Sequence, residues 1–279
     1  MNIIGQKKLL TDIDNLILNN NFPRYSIICG VEGSGKKLIS AYIANRLNAT
    51  LAPCDLSVNS VREVIDLSYT QTSPTVYMWA NANGMSINAK NAVLKVTEEP
   101  PQNAYFIMTT DNINGLLGTL ISRGTVFNIN PYSVNELEDY ANIKLTAISD
   151  EELHTILNIS TTPKDIIDLS TIDINKFNLV VKTLCDRVGK VNLANELKIP
   201  TFLKFKDTDE DKTKFDPILF MKACSERFLT LMKTTNKRIY ANYIQLTSSY
   251  LADMYSKSLN KIATVDSWII DLHETALRG

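Results

Sequence analysis

The feature that most constrains the fold of this chain is a short apolar run followed by a cluster of glycines. Residues Tyr25 to Cys29 are uncharged and fit a buried strand, and residues 30–37 then read GVEGSGKK. Three of the ten glycines of the chain lie in this loop. Residues Leu38 to Leu47 predict a helix. A strand, a glycine loop and a helix in this order form the context in which a phosphate-binding loop has physical meaning.

The loop matches most of the phosphate-binding pattern GxxxxGK[ST]. Gly30, Gly35 and Lys36 fill its fixed positions, and Gly33 adds a glycine within the loop. The loop's N–H groups would cradle phosphates, and the lysine would reach the β- and γ-phosphate oxygens. The last position should carry a hydroxyl for Mg²⁺, but it is Lys37, whose ammonium has no lone pair for a cation. The pattern leaves open whether the loop binds a nucleotide weakly or binds none.

A second departure lies at the end of the next core strand. Hydrolysis requires a carboxylate for the Mg²⁺ shell and another group to orient water. The strand predicted at 75–79 leads into Ala80 and Asn81, and neither residue carries a carboxylate. The two departures favour a phosphate-loop fold that is not an active ATPase by itself, with an active ATPase as the alternative.

Strands and helices alternate along the chain as far as residue 130. Strands are predicted at 25–29, 75–79, 104–109 and 125–129, and helices at 6–19, 38–47, 58–69 and 85–98. The strands are continuously apolar, which is typical of a parallel sheet covered on both faces. The fold class predicted for residues 1–130 is therefore α/β.

After Pro131 the pattern predicts helices only. Short helices are expected at 134–144, 150–157 and 163–169, and they would form a small helical domain over 131–175. Residues 176–279 also have helical periodicity, with long helices near 217–234, 237–255 and 258–277. The charge-rich segment 204–215 predicts a solvated loop. The chain as a whole is expected to be α/β plus all-α.

Composition excludes several classes of protein. The 29 basic and 30 acidic residues give a net charge of −1, which argues against coating nucleic acid by bulk charge but leaves a local basic patch possible. The four cysteines contain no CxxC pair, and His154 and His273 are isolated, so no metal site is expected. No signal peptide and no stretch of about 18 apolar residues is present, which predicts a cytoplasmic protein without a membrane span.

Three segments further along carry a more specific signal. Residues 88–101 read NAKNAVLKVTEEPP, residues 104–112 read AYFIMTTDN, and residues 120–124 read LISRG. Together they resemble clamp-loader AAA+ subunits, above all the delta-prime and gamma/tau subunits of bacterial DNA polymerase III. Those subunits carry an NALLK-x-x-EEPP run, a sensor-1 strand and a Ser-Arg-Cys motif in this order. The resemblance covers roughly residues 5–170.

The resemblance implies an architecture and a set of partners. Residues 1–130 would form an AAA+ P-loop domain, 131–175 a helical lid and 176–279 a helical C-terminal collar for oligomerisation. The chain would join other clamp-loader subunits in a hetero-pentamer that places a sliding clamp on primer–template DNA. Its asparagine-, isoleucine- and lysine-rich composition would suit a phage or a low-GC bacterium, with the bacterial or host cytoplasm as its location.

The resemblance also assigns roles to single residues. Arg123 is the candidate arginine finger, which would reach the γ-phosphate of ATP in a neighbouring subunit. Thr110, or its neighbour Thr109, would occupy the sensor-1 position. Nucleotide contacts in cis would come from the loop and sensor residues Gly30, Gly33, Gly35, Lys36, Lys37 and Thr110. Because of Lys37, Mg²⁺ is not expected in this chain's own site.

Other motif positions depart from the resemblance or have a structural interpretation. Glu98 to Pro101 is expected to serve helix termination and subunit packing rather than catalysis. Gly124 stands where the motif has cysteine, and Lys164 is the only basic candidate near the lid's usual sensor arginine.

The favoured function is a largely non-hydrolysing stator of a clamp loader. Three alternatives stay open at this point: an active ATP-hydrolysing motor subunit, a helicase-loading AAA+ protein, and a scaffold that kept only the P-loop fold.

Overall fold

The computed structural model describes residues 3–145, 148–202, 216–256 and 259–278. The chain divides into two compact units, Met1–Glu136 and Leu137–Gly279. This division lies close to the change in pattern at residue 130. The further division of the helical part into lid and collar stays a prediction, and the predicted loop at 204–215 lies outside the described residues.

The first unit is an α/β domain. Its strands are β1 Tyr25–Cys29, β2 Thr50–Cys54, β3 Thr75–Trp79, β4 Ala104–Thr110 and β5 Thr125–Asn128. Its helices are α1 Lys7–Leu18, α2 Lys36–Arg46, α3 Val58–Thr70, α4 Ile87–Glu98 and α5 Gly118–Ile121. The strands and long helices agree with the sequence prediction to within a few residues at each end, the usual uncertainty of helix and strand boundaries.

The five strands form one parallel sheet in the order β2-β3-β4-β1-β5. In the centre of the sheet, Cys29 at the end of β1 lies opposite Thr110 of β4 and Asn128 of β5. The segments that follow β1, β3, β4 and β5 therefore all leave the sheet at the same edge, which is where ligands bind in open α/β sheets.

Strand β2 was not predicted from the sequence. It contains Pro53, which has no N–H to donate to a sheet, so its pattern argues against a central strand. The structure accommodates it because β2 lies at the edge of the sheet and pairs only with β3.

Apolar side chains cover both faces of the sheet. On one face the ring of Phe106 stacks on those of Tyr77 and Trp79, with centroids 5.6 and 5.7 Å apart, and α3 and α4 pack over them. On the other face Ile28 packs with Ile39 of α2 and with residues of α1. Burial on both faces explains why the strands are continuously apolar.

The second unit is helical throughout its described residues. Its helices are α6 Val134–Lys144, which begins in the first unit, α7 Asp150–Ile159, α8 Pro163–Ser170, α9 Ile174–Arg187, α10 Leu193–Lys198, α11 Pro217–Thr235, α12 Ile239–Ser256 and α13 Lys261–Arg278. Phe220 of α11 lies at its core, with edge-to-face contacts to Phe177 and Trp268 at centroid distances of 6.4 and 6.2 Å. Within the part of the chain that the structure describes, no helix is long and apolar enough to span a membrane.

A glycine substitution tests the packing of the second unit. Gly189 has a φ of +71°, and an added Cβ would overlap the Cβ of Ala276 on α13. We expect Gly189→Ala to lower the free energy of unfolding by about 2–4 kcal/mol, since it combines backbone strain with overpacking. Urea denaturation followed by circular dichroism measures the change. Gly118→Ala is the matched control, because nothing lies within 4 Å of its added Cβ, and equal losses in the two variants would contradict the expectation.

Candidate functional site

The glycine loop between β1 and α2 is held by its own backbone and by β4. The Gly30 N–H donates to the Thr110 carbonyl at 3.1 Å, and the Ser34 N–H donates to the Val31 carbonyl at 3.2 Å. Gly33 and Gly35 have φ values of +79° and +89°, which L side chains rarely adopt. The sequence pattern therefore produces the tight turn that a phosphate-binding loop requires.

Close packing also restricts Gly30. An added Cβ at this position would lie 2.8 Å from Ser34 Oγ and 2.9 Å from Ile129 Cβ. Ser34 is buried, and its hydroxyl has no hydrogen-bond partner in the structure. The Ser34 hydroxyl is thus buried next to Gly30 without a hydrogen-bond partner.

The Lys36 ammonium contacts the loop itself. Nζ donates to the carbonyls of Gly30 at 2.6 Å and Val31 at 2.9 Å, and the residue is only 8% exposed. Burial lowers the pKa of Lys36, while the nearby carboxylates of Asp111 and Glu32 act in the opposite direction. A phosphate that used this ammonium would have to compete with two carbonyl oxygens that already accept from it.

Tyr132 closes one side of the loop. Its hydroxyl donates to the Ser34 carbonyl at 2.9 Å and would lie 3.7 Å from a Cβ at Gly35. Tyr132 follows β5, which leaves the sheet at the same edge as the loop. Nothing in the local sequence around Tyr132 marks this contact, because it joins residues 98 positions apart.

Lys37 lies in the first turn of α2 and is exposed. It occupies the position at which the motif requires a Mg²⁺-binding hydroxyl. The segment after β3 likewise offers amides in place of carboxylates: Asn81 has a φ of +54°, and its N–H donates to Thr109 Oγ1 at 3.1 Å. The Thr109 hydroxyl therefore holds the turn after β3.

The Thr110 hydroxyl is fully buried and also has internal partners. It lies 2.7 Å from Asn83 Oδ1 and 2.9 Å from the Asn112 carbonyl, and it accepts from the Asn112 N–H at 3.1 Å. The contact with Asn83 links the end of β4 to the turn after β3. The sensor-1 role of Thr110 stays a prediction.

Asp111 is a carboxylate at this edge that the sequence interpretation did not include. It follows β4, and its Oδ1 accepts from Asn83 Nδ2 at 2.8 Å. Its charge opposes the lowering of the Lys36 pKa by burial, so the two side chains belong to one electrostatic site. Its place just after a predicted strand could have indicated it, because the residues that follow parallel strands lie at the same edge of the sheet.

Arg123 follows the short helix α5 and has two partners. Its Nη2 lies 2.6 Å from Glu98 Oε1, and its Nη1 donates to the Thr119 carbonyl at 3.0 Å. The Arg123 side chain is 35% exposed to solvent. The next residue, Gly124, packs so closely on Tyr25 that an added Cβ would lie 2.8 Å from the ring, which explains why a larger residue does not fit there.

Two further sequence predictions concern Lys164 and the absence of a metal site. Lys164 lies in the first turn of α8 and has Asp168 Oδ2 at 3.9 Å, and its sensor role stays a prediction. Within the described ranges no group of three or more His, Cys, Asp and Glu side chains is placed to hold a metal ion. His273 Nδ1 lies 2.9 Å from the buried carboxylate of Glu196.

Comparisons with known proteins agree with this geometry. Residues 56–133 match the family model described as DNA polymerase III, delta subunit. The DNA polymerase III gamma subunit of Buchnera aphidicola subsp. Schizaphis graminum is 25% identical over 244 residues, which are 74% of this chain and 67% of that subunit. The chain spans less than half of the next two Buchnera gamma subunits, at 45% and 44% of their lengths.

Solved structures share the fold. A gamma subunit-related protein from Thermotoga maritima aligns with a TM-score of 0.54 at 15% identity, over 96% of this chain and 99% of that one. The RuvB Holliday junction branch migration motor of the same organism aligns with a TM-score of 0.52 at 16% identity, over 84% and 82% of the two chains. The chain is thus similar to clamp-loader AAA+ subunits such as the gamma subunits of DNA polymerase III. The predicted α/β AAA+ fold with a helical C-terminal part is thereby confirmed.

A buried lysine contacts the segment that leads to Arg123. Lys90 of α4 is 8% exposed, and its Nζ donates to the carbonyls of Gly115 at 2.8 Å and Asn83 at 3.2 Å. It thus connects the turn after β3 with the segment before α5. The sequence NAKNAVLK shows Lys90 only as one more polar residue of an amphipathic helix.

Replacing this lysine tests the connection. We expect Lys90→Met to lower the free energy of unfolding by about 1–3 kcal/mol, because two carbonyls lose a charged donor. Lys95→Met is the matched control, since Lys95 is an exposed lysine of the same helix. Urea denaturation of the full chain compares them, and an equal effect of both substitutions would contradict the assigned role.

Proposed function

We propose that this chain is a clamp-loader subunit of a DNA replication machine and that it acts as a largely non-hydrolysing stator. In this role it supplies Arg123 to ATP bound by a neighbouring subunit while a sliding clamp is loaded onto primer–template DNA. The proposal is supported by the similarity to DNA polymerase III gamma subunits and to the delta-subunit family model. Its partners would be other clamp-loader subunits, the clamp and DNA, in the cytoplasm.

The observation that carries the stator role is the composition of the chain's own nucleotide edge. Lys37 replaces the Mg²⁺-binding hydroxyl, and Ala80 and Asn81 replace the acidic pair. Without those groups neither the metal nor the attacking water is held as phosphoryl transfer requires. The Lys36 ammonium and the Tyr132 hydroxyl also have partners within the chain, namely two loop carbonyls and the Ser34 carbonyl.

Arg123 has the chemistry that action in trans requires. A guanidinium carries five N–H donors, of which the contacts with Glu98 and Thr119 use two. The remaining donors can bind phosphate oxygens, and the positive charge would offset the charge that develops on a γ-phosphate. Partial exposure of the side chain makes it available to a neighbour.

Large apolar side chains are exposed in the second unit, among them Ile143, Leu179 and Leu277 at 59%, 65% and 69% exposure. Where such side chains form a contiguous patch, they are typical of surfaces that bind other proteins. The proposed lid at 131–175 and collar at 176–279 would use them to contact neighbouring subunits of the hetero-pentamer.

The test is ATP turnover by a mixture with the neighbouring motor subunit, a chain from the same genome that has a complete phosphate loop and acidic pair. We expect Arg123→Ala to reduce the turnover number of the mixture by roughly 10³-fold, the lower range measured for arginine fingers. Steady-state phosphate release measures it, and pull-down of the motor subunit shows that the complex still forms.

Arg62→Ala is the control for loss of an exposed arginine from the same unit. This variant should leave the turnover number of the mixture within about twofold of wild type, because most surface substitutions have small effects. Full ATP turnover by the mixture that contains Arg123→Ala would contradict the stator proposal.

A further inference from the structure

The most informative unassigned contact is the ion pair between Glu98 and Arg123. Glu98 is the last residue of α4 and Glu99 follows it as the helix cap. Negative charge at a helix C-terminus is unfavourable, because the helix dipole places partial negative charge there. The two carboxylates therefore do not serve the helix, and a local choice that opposes its own secondary structure is typical of a functional position.

The backbone at Arg123 is already fixed without Glu98. The Arg123 N–H donates to the Leu120 carbonyl at 3.3 Å, and Leu120 is fully buried. Gly124 is pressed against the ring of Tyr25. What these contacts do not fix is the long side chain of Arg123, whose many rotamers make it costly to order.

Two acceptors on one side order that side chain. The Thr119 carbonyl holds Nη1 at 3.0 Å, and Glu98 Oε1 holds Nη2 at 2.6 Å. The carboxylate and the carbonyl together define the plane of the guanidinium, and one N–H on each terminal nitrogen, as well as Nε–H, points elsewhere. Glu98 thereby reduces the conformational freedom of Arg123 before any neighbour binds.

We propose that Glu98 is a positioning residue that pre-orders the Arg123 guanidinium for a phosphate on a neighbouring subunit. The inference rests on the proposed function of Arg123. An exposed ion pair contributes little to folding stability. We therefore attribute the contact to the binding role of the ordered Arg123 side chain. The alternative effect of the same contact is a brake, in which the carboxylate competes with phosphate for the guanidinium.

The first experiment observes the arginine in the chain alone. In ¹⁵N-labelled protein the guanidinium signal of Arg123, assigned by its loss in Arg123→Ala, should show restricted rotation in the wild type. Its rotation should become faster in Glu98→Ala, where only the Thr119 carbonyl still holds it, and should stay restricted in Glu99→Ala. Equal mobility in the wild type and Glu98→Ala would overturn the proposal, whatever the function of the chain.

The second experiment measures ATP turnover in the mixture with the motor subunit. Glu98→Ala should lower the turnover number roughly threefold to tenfold with little change in KM, since the cost of ordering one long side chain returns. Glu98→Gln, which keeps an acceptor oxygen of the same reach, should restore most of the rate. Glu63→Ala removes an exposed glutamate of α3 and is the control that should leave the rate unchanged.

The outcomes separate this inference from the proposed function. Unchanged rates in Glu98→Ala, or rates raised in both Glu98 variants, would overturn the positioning role when Arg123→Ala still abolishes the stimulation. If Arg123→Ala itself has no effect, the proposed function fails, and the mobility of the guanidinium alone then decides whether Glu98 orders it.

Discussion

The parallel pairing of β1 with both β4 and β5 is the constraint on which the rest of the first unit depends. Together with the parallel pairing of β3 with β4, it brings the residues after four strands to one edge of the sheet, although they are far apart in sequence. The glycine loop, the Asn81 turn, Thr110 with Asp111, and Tyr132 meet there for that reason. Apolar packing on both faces fixes the sheet and leaves the polar groups only this edge.

Several polar groups at this edge hydrogen-bond to one another. Lys36 donates to loop carbonyls, Tyr132 donates to Ser34, and the Thr109 and Thr110 hydroxyls hold the turns after β3 and β4. The AAA+ fold thus keeps the shape of a nucleotide site, while the groups that would hold Mg²⁺ and activate water are absent from its motif positions. The proposed stator role follows from this separation of shape and chemistry.

The sequence predicts most of the fold because its signals are local. Continuous apolar runs mark β1, β3, β4 and β5, and helical periodicity marks the long helices. Strand β2 was not predicted because Pro53 argues against any strand that does not lie at the edge of a sheet. The edge position of β2 depends on the arrangement of the whole sheet and not on its local sequence.

The candidate site was predictable only in its motif positions. Gly30, Gly35 and Lys36 follow from the spacing of the loop motif and Arg123 from the resemblance to clamp-loader subunits, whereas the partners of these residues could not be predicted. Tyr132 contacts Ser34 across 98 positions and Glu98 contacts Arg123 across 25, and no local pattern encodes either pair. The sequence therefore predicts motif roles for Lys36 and Arg123, whereas their hydrogen-bond partners are seen only in the folded structure.

The most direct test of the central claim is phosphate release by the purified full chain alone at saturating Mg²⁺ and ATP, compared with Lys36→Met. If the edge lacks the groups for hydrolysis, the two proteins release phosphate at the same background rate. Sustained turnover by the wild type that Lys36→Met abolishes would contradict the account and would identify the chain as a motor with an unrecognised carboxylate.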